Sequence, residues 1–295
     1  MPSLISNGLS LTYQIEGPDN GTPLLLVMGL GGQLTLWPDP LCAALAEQGF
    51  RVIRFDNRDV GLSQKMTEFG TPDLGTALRS LMAGQRPTPP YGLMDMARDA
   101  IGLLDGLGLR RAHVVGMSMG GMIGQLLAAH WPERVTSLVS IMSTSGDPSL
   151  PPAKPEAAAA MLSKPVSTAR QDIIDFSIKL WQTIGSPGFM PDSVYLGRMA
   201  ARQIDRDYDP VGIARQYMAI LGAEPRTALL RTLRIPTLVI HGTDDPLIPI
   251  AAGRHVASLI PNAVLQEVPG MGHDLAPGLW PILVHAITNH CRPRA

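Results

Sequence analysis

Little in the sequence would tie the chain together covalently or hold it in a membrane. Only two cysteines, Cys42 and Cys291, occur in 295 residues. They lie near opposite ends without metal-like spacing and read as free thiols, not as a disulfide framework or a zinc site. Long apolar runs are missing: the longest, "LLLVMGL", falls far short of the ~20 residues that span a bilayer. The opening stretch "MPSLISNGLSLTYQIEG" has no basic segment followed by an apolar one, so no secretory signal is expected and a cytoplasmic location is. An excess of either charge is also lacking, with 24 Lys and Arg against 25 Asp and Glu and no block of one sign. That excludes the electrostatic footprint of a nucleic-acid or anionic-membrane binder and favours a small, roughly neutral partner. No repeat of fixed period and no extended low-complexity tract is visible.

What is present is an alternation of short β-rich runs with helix-period segments. "LSLTYQI", "PLLLVMG", "RVIRFD", "AHVVG", "SLVSIM", "PTLVIHG" and "AVLQEVPG" are the strand candidates. Continuous Val, Ile and Leu of this length suits strands covered on both faces, as in a parallel sheet between helices. Leu93, Met96, Ala97, Ala100, Ile101, Leu104 and Leu107 recur at three- and four-residue steps, which predicts an amphipathic helix ending near Gly108. A second helix is expected from about Met119 to Ala129, stopping before Pro132. The stretch from 146 to 232 opens on the Pro-rich "GDPSLPPAKPEAAAA" and carries helical patches without a convincing strand. It reads as a helical cap inserted into a core made of residues 1–145 and 233–295.

Chemistry concentrates at "HVVGMSMGGM", His113 to Met122, where a serine sits between two glycines at the junction of a strand and a helix. By composition alone, with 30 glycines, a chance G-x-S-x-G turns up in about one chain of this kind in six. Context therefore decides. A sharp strand-to-helix elbow exposes Ser118, lets its small neighbours Gly116 and Gly120 pack closely, and frees the N–H of Met119 to face an oxyanion. A serine needs a base to accept its proton, and the base needs an orienting carboxylate. In elbow hydrolases these follow in the order acid, then histidine. His273, in "PGMGHDL", lies in a glycine-flanked loop after the last strand candidate. "HGTDDPLIP" offers Asp244 and Asp245; Asp245, three residues after Gly242 and before Pro246, is preferred, with Asp244 as the alternative and Asp147 as a third choice.

The second oxyanion donor is assigned to Leu30 in "MGLGGQ", where glycines free the backbone to turn N–H groups inward. This loop lacks the Lys-Ser/Thr of a phosphate-binding P-loop and the G-x-G-x-x-G spacing of a dinucleotide site. In "FDNRDVGLS", Asp56 and Arg58 are read as a structural pair holding a tight loop. Trp37, Trp181, Met190 and Tyr195 are candidate lining residues of an apolar substrate pocket, ordinary packing between cap helices being the competing role.

Taken together, "MGLGG", "FDNRDVGLS", "GMSMG", "HGTDDPLIP" and "GMGH" occur in an order and at separations that resemble the α/β-hydrolase superfamily over nearly the whole chain, and within it the aclacinomycin methylesterase-like carboxylesterases. The resemblance implies a mostly parallel, twisted, eight-stranded sheet flanked by helices, an inserted helical cap, and Ser118, Asp245 and His273 as a catalytic triad. It implies a serine carboxylesterase acting on a small-molecule ester without metal or organic cofactor. Related triad chemistries (C–C hydrolysis, perhydrolysis, acyl transfer) and a non-catalytic small-molecule receptor are the alternatives, and monomer and homo-oligomer both stay open. The chain departs from many relatives at Met28, where they carry histidine, and at Asp59, where they carry glycine. A weakly charged, apolar composition points to an uncharged hydrophobic ester.

Overall fold

The computed structural model describes residues 1–292. Its centre is an eight-stranded sheet of β1 (Ser3–Ser6), β2 (Leu9–Glu16), β3 (Thr22–Val27), β4 (Phe50–Phe55), β5 (Ala112–Met117), β6 (Val135–Ile141), β7 (Thr237–Gly242) and β8 (Val264–Val268). The spatial order is β1-β2-β4-β3-β5-β6-β7-β8. β1 pairs antiparallel with β2 and β2 with β4; every other pairing is parallel. The short edge strand β1 lies outside the seven runs that patterning singles out, because four residues with one buried side chain carry almost no periodic signal.

Around the sheet lie α1 (Asp39–Glu47), α2 (Leu74–Met82), α3 (Leu93–Gly106), α4 (Met119–His130), α5 (Pro155–Leu162), α6 (Arg170–Ile184), α7 (Ser193–Arg206), α8 (Pro210–Leu221), α9 (Thr227–Leu230), α10 (Ile250–Leu259) and α11 (Trp280–Cys291). The apolar strands are covered on both faces. In β3, Leu25 and Val27 enter the core shared with α3, α4 and α10, while Leu24 and Leu26 enter the core shared with α1 and α11. Period-two alternation thus distributes one continuous apolar run between two layers. Full burial of each such side chain contributes roughly 1.5–3 kcal/mol.

Local signals set the helix ends. α3 buries Leu93, Met96, Ala97, Ala100 and Leu104 and closes with Gly108 at φ 67°. There Leu109 N–H donates to Leu104 O and Gly108 N–H to Asp105 O, a Schellman cap that needs the left-handed residue. α4 stops at His130, two residues before Pro132.

Helices α5 to α9 all fall between β6 and β7, within the stretch read from sequence as inserted. Their polar caps are local: Asp192 accepts from Tyr195 N–H at the start of α7, and Asp209 from Val211 and Gly212 N–H at the start of α8. The loops after β3, β5, β7 and β8 leave the carboxyl ends of parallel strands, where open α/β sheets bind ligands. Among the described residues, no helix is long and apolar enough to cross a membrane.

Candidate active site

Ser118 occupies a strained elbow. β5 is buried throughout and ends at Met117; Ser118 has φ 55° and ψ −119°, and α4 begins at the next residue. A non-glycine residue in such a region costs roughly 1–3 kcal/mol and persists only where its surroundings over-determine it. Here Ser118 N–H donates to Ile141 O at 2.9 Å, while Ser118 O accepts from Gly121 N–H at 2.9 Å and from the Ser143 hydroxyl at 2.8 Å. Two glycines make the elbow tight. A Cβ on Gly116 would stand 2.2 Å from Gly120 O, and one on Gly120 2.0 Å from Val27 O.

His273 reaches the serine from the loop after β8. Its Nε2 lies 3.0 Å from Ser118 Oγ and its Nδ1 2.7 Å from Asp245 Oδ2. Asp245 accepts from Nδ1–H, which leaves the Nε2 lone pair for the serine hydroxyl. The other carboxylate oxygen accepts from Leu247 N–H at 2.9 Å and Ile248 N–H at 2.8 Å, fixing the carboxylate after β7. Asp244, by contrast, is exposed and accepts from Thr243 Oγ1 and Gly270 N–H. Asp147 is half-buried and bonded to Ser149 and Thr227, away from His273. Geometry therefore selects Asp245 as the partner of His273. His241 approaches Asp245 Oδ2 at 3.7 Å, but burial lowers its pKa and it donates from Nε2 to Ile248 O at 2.7 Å.

The glycine loop after β3 abuts the serine. A Cβ on Gly29 would lie 3.1 Å from Ser118 Cβ. The N–H groups of Leu30 and Met119 donate to no described residue. Met28, standing where many relatives carry histidine, is buried and contributes a carbonyl that accepts from Asn57 Nδ2 at 3.1 Å.

The family pattern described as the alpha/beta hydrolase fold matches residues 22–276, most of the chain. The chain belongs to the α/β-hydrolase family. Rhodomycin D methylesterase DnrP of Streptomyces peucetius is 30% identical, with 99% of each chain covered. Rhodomycin D methylesterase DauP of Streptomyces sp. strain C5 is 31% identical at the same coverage. Among solved structures, the enol-lactonase from Burkholderia xenovorans LB400 superposes with a TM-score of 0.74 over 98% of this chain and 99% of that one, at 24% identity, a likeness of fold.

In this α/β hydrolase a cavity of about 360 Å³ opens onto Ser118 and His273. Trp181 and Tyr195, from α6 and α7, line it. Trp37 and Met190 do not. Trp37 is fully buried in the core cluster with Leu41 and Leu45, a core residue instead of a pocket one. Met190 lies in the exposed turn before α7, while its neighbour Pro191 faces the cavity. Asp274 is the one formally charged acidic residue on the otherwise largely apolar wall; burial raises its pKa, opposed by the hydrogen bond from the Ser186 hydroxyl. Among the described residues, no group of three or more His, Cys, Asp or Glu is placed to share a metal ion.

Asp56 and Arg58 do not pair with each other. Asp56 accepts from Leu34 N–H, Leu62 N–H and Arg206, whereas Arg58 grips Asp99 through Nε and Nη2, both at 2.6 Å. Each ties the loop to a different element. Sequence reading also missed Arg215 and Gln216 of α8, which reach this same loop and the glycine loop after β3. No local pattern could have found them, since Asp59, Arg58 and Gly31, the loop residues they hold, lie more than 150 residues away.

Proposed function

We propose that this α/β hydrolase is a serine carboxylesterase that cleaves a hydrophobic carboxylic ester through an acyl-enzyme. The observation that carries the reading is the hydrogen-bonded chain from Ser118 Oγ through His273 to Asp245, held at a strained elbow that opens into an apolar cavity. Ser118 Oγ attacks the ester carbonyl while His273 Nε2 takes its proton. Asp245 holds the imidazole tautomer and stabilises the imidazolium without accepting the proton itself. The N–H groups of Leu30 and Met119 receive the oxyanion, each contributing on the order of 100-fold in rate. His273 then protonates the leaving alcohol, and a water deprotonated by the same imidazole frees the acid and restores Ser118.

Helices within residues 146–232 act as the cap in this reading, with Trp181 and Tyr195 bounding the acyl or alcohol group. The printed names of the rhodomycin D methylesterases support an ester substrate. Hydrolysis of p-nitrophenyl esters from acetate to palmitate by wild type and by Ser118→Ala tests the proposal. Turnover with a chain-length optimum in the wild type, and none in the folded variant, is expected. Turnover surviving in Ser118→Ala would overturn the mechanism.

A further inference from the structure

We infer that Gln216, on inserted helix α8, is a positioning residue for the oxyanion site, so that the inserted helices build the catalytic machinery as well as enclosing substrate. The inference rests on the esterase reading and extends it to a residue outside the hydrogen-bonded chain at Ser118.

The argument starts from the Gly29–Gly32 turn. Gly32 N–H donates to Gly29 O at 3.2 Å. In a trans peptide the carbonyl and the following N–H point in opposite directions, so tying down Gly29 O fixes the direction of the Leu30 N–H. The next peptide is fixed from outside: Gly31 N–H donates to Gln216 Oε1 at 2.9 Å. Gly31 has φ 67°, and Ile213 of α8 packs within 3.3 Å of where its Cβ would be. Gln216 is fully buried and spends its other end on Arg58 O, donating from Nε2 at 2.7 Å. One side chain therefore joins the glycine loop after β3 to the loop after β4.

The grip continues along the loop. Gln33 Nε2 donates to Gln203 O at 2.8 Å and Asp207 O at 2.7 Å, and Gln203 Nε2 donates to Thr35 Oγ1 at 2.7 Å. Of the hydrogen bonds that α7 and α8 make with this loop, only that of Gln216 acts on a peptide adjoining Leu30. Removing its amide leaves a part-buried N–H without a partner, and the Leu30–Gly31 peptide is then free to rotate toward another acceptor.

The test compares wild type, Gln216→Leu and Gln216→Glu in the full chain, using kcat and KM for the best p-nitrophenyl ester and the Ki of an aryl boronic acid. The boronate accepts Ser118 Oγ and places an oxygen where the oxyanion forms. In Gln216→Leu, kcat is expected to fall about 10- to 100-fold, with KM changed less than about threefold and boronate affinity falling in step with kcat/KM. Gln216→Glu keeps an acceptor for Gly31 N–H and is expected to retain tighter boronate binding and higher kcat than Gln216→Leu.

Undiminished kcat and boronate affinity in folded Gln216→Leu would overturn the inference, as would equal losses in the two variants. If Gln216→Leu does not fold, Gln216→Glu is read alone, and a loss of boronate affinity beyond about 100-fold in that folded variant contradicts the role. A wild type that neither turns over esters nor binds the boronate removes the esterase reading itself, an outcome distinct from any difference among the variants.

Discussion

Arg215 on α8 and Asp59 after β4 form a buried bidentate ion pair, Nε to Oδ2 at 2.9 Å and Nη2 to Oδ1 at 2.7 Å. Asp59 has φ 72°, a left-handed conformation uncommon for a residue other than glycine. The same carboxylate accepts from Met66 N–H and the Tyr91 hydroxyl, both at 2.7 Å. The aspartate in this strained position is thus matched by a cation 156 residues away that binds α8 to the loop after β4.

Breaking that pair from one side strands a buried charge. Arg215→Met is expected to destabilise the fold by about 3–5 kcal/mol in urea unfolding. Arg215→Met combined with Asp59→Gly removes both charges and relieves the left-handed strain, so it recovers a large part of the loss. Additive losses in the double variant would contradict a coupled pair.

The two adjacent aspartates after β7 have opposite fates. Asp245→Asn is expected to lower kcat about 10³- to 10⁴-fold by disturbing the His273 tautomer, with the melting temperature little changed. Asp244→Asn, whose carboxylate is exposed and bonded to Thr243 and Gly270, should stay within about threefold of wild type. Steady-state kinetics on the two variants separates these outcomes.

Elbow packing sets a stability prediction. A methyl group at Gly120 meets the Val27 carbonyl at 2.0 Å, backbone that cannot move without separating β3 from α4. Gly120→Ala is expected to cost more than about 3 kcal/mol, beyond ordinary overpacking. Gly49→Ala, where a Cβ meets nothing but φ is 91°, costs only backbone strain, about 1–2 kcal/mol. Thermal melts of the pair rank them.

Acid sensitivity follows from His113. Burial, aided by His290 and Arg111, pushes its pKa from 6.5 down to about 4. The unfolded chain gains this proton as pH falls below 6.5, whereas the folded chain resists it until about 4. Stability is therefore full above 6.5 and lost progressively between 6.5 and 4. His241, also pulled down by burial, adds in the same direction. Melting temperature should fall on going from pH 7 to pH 4.5, and fall less in His113→Gln; an identical slope in the two proteins would refute the assignment.

Pocket and core aromatics should respond differently. Trp181→Ala enlarges the cavity and is expected to shift the ester preference toward bulkier groups at modest stability cost. Trp37→Ala empties a fully buried site and should cost about 3–5 kcal/mol with no change in chain-length preference. A chain-length series and a melt on each variant check both.

Much of the fold was legible because its signals are local. β3 and β5 announce themselves as apolar runs, α3 by its period and its Gly108 cap, and Ser118, Asp245 and His273 by short motifs at strand ends. What stayed hidden depends on where distant segments meet. Trp37 and Trp181 have the same side chain, and only the path of the chain after β3 turns the first into the core and leaves the second on the cavity. Asp56 and Arg58 are close enough in sequence to suggest each other, yet Arg206 and Asp99 outcompete because they arrive with better geometry. Arg215 and Gln216 sit in an ordinary amphipathic helix, and nothing in their neighbours' identities marks the loop they hold.

Mass spectrometry of a trapped acyl-enzyme tests the central claim most directly. Rapid acid quench after mixing with a slowly deacylating p-nitrophenyl ester, followed by peptide mapping, should show one acyl group per chain, carried by Ser118. Absence of an adduct while ester is being consumed, or an acyl group on another residue, would contradict a Ser118 acyl-enzyme.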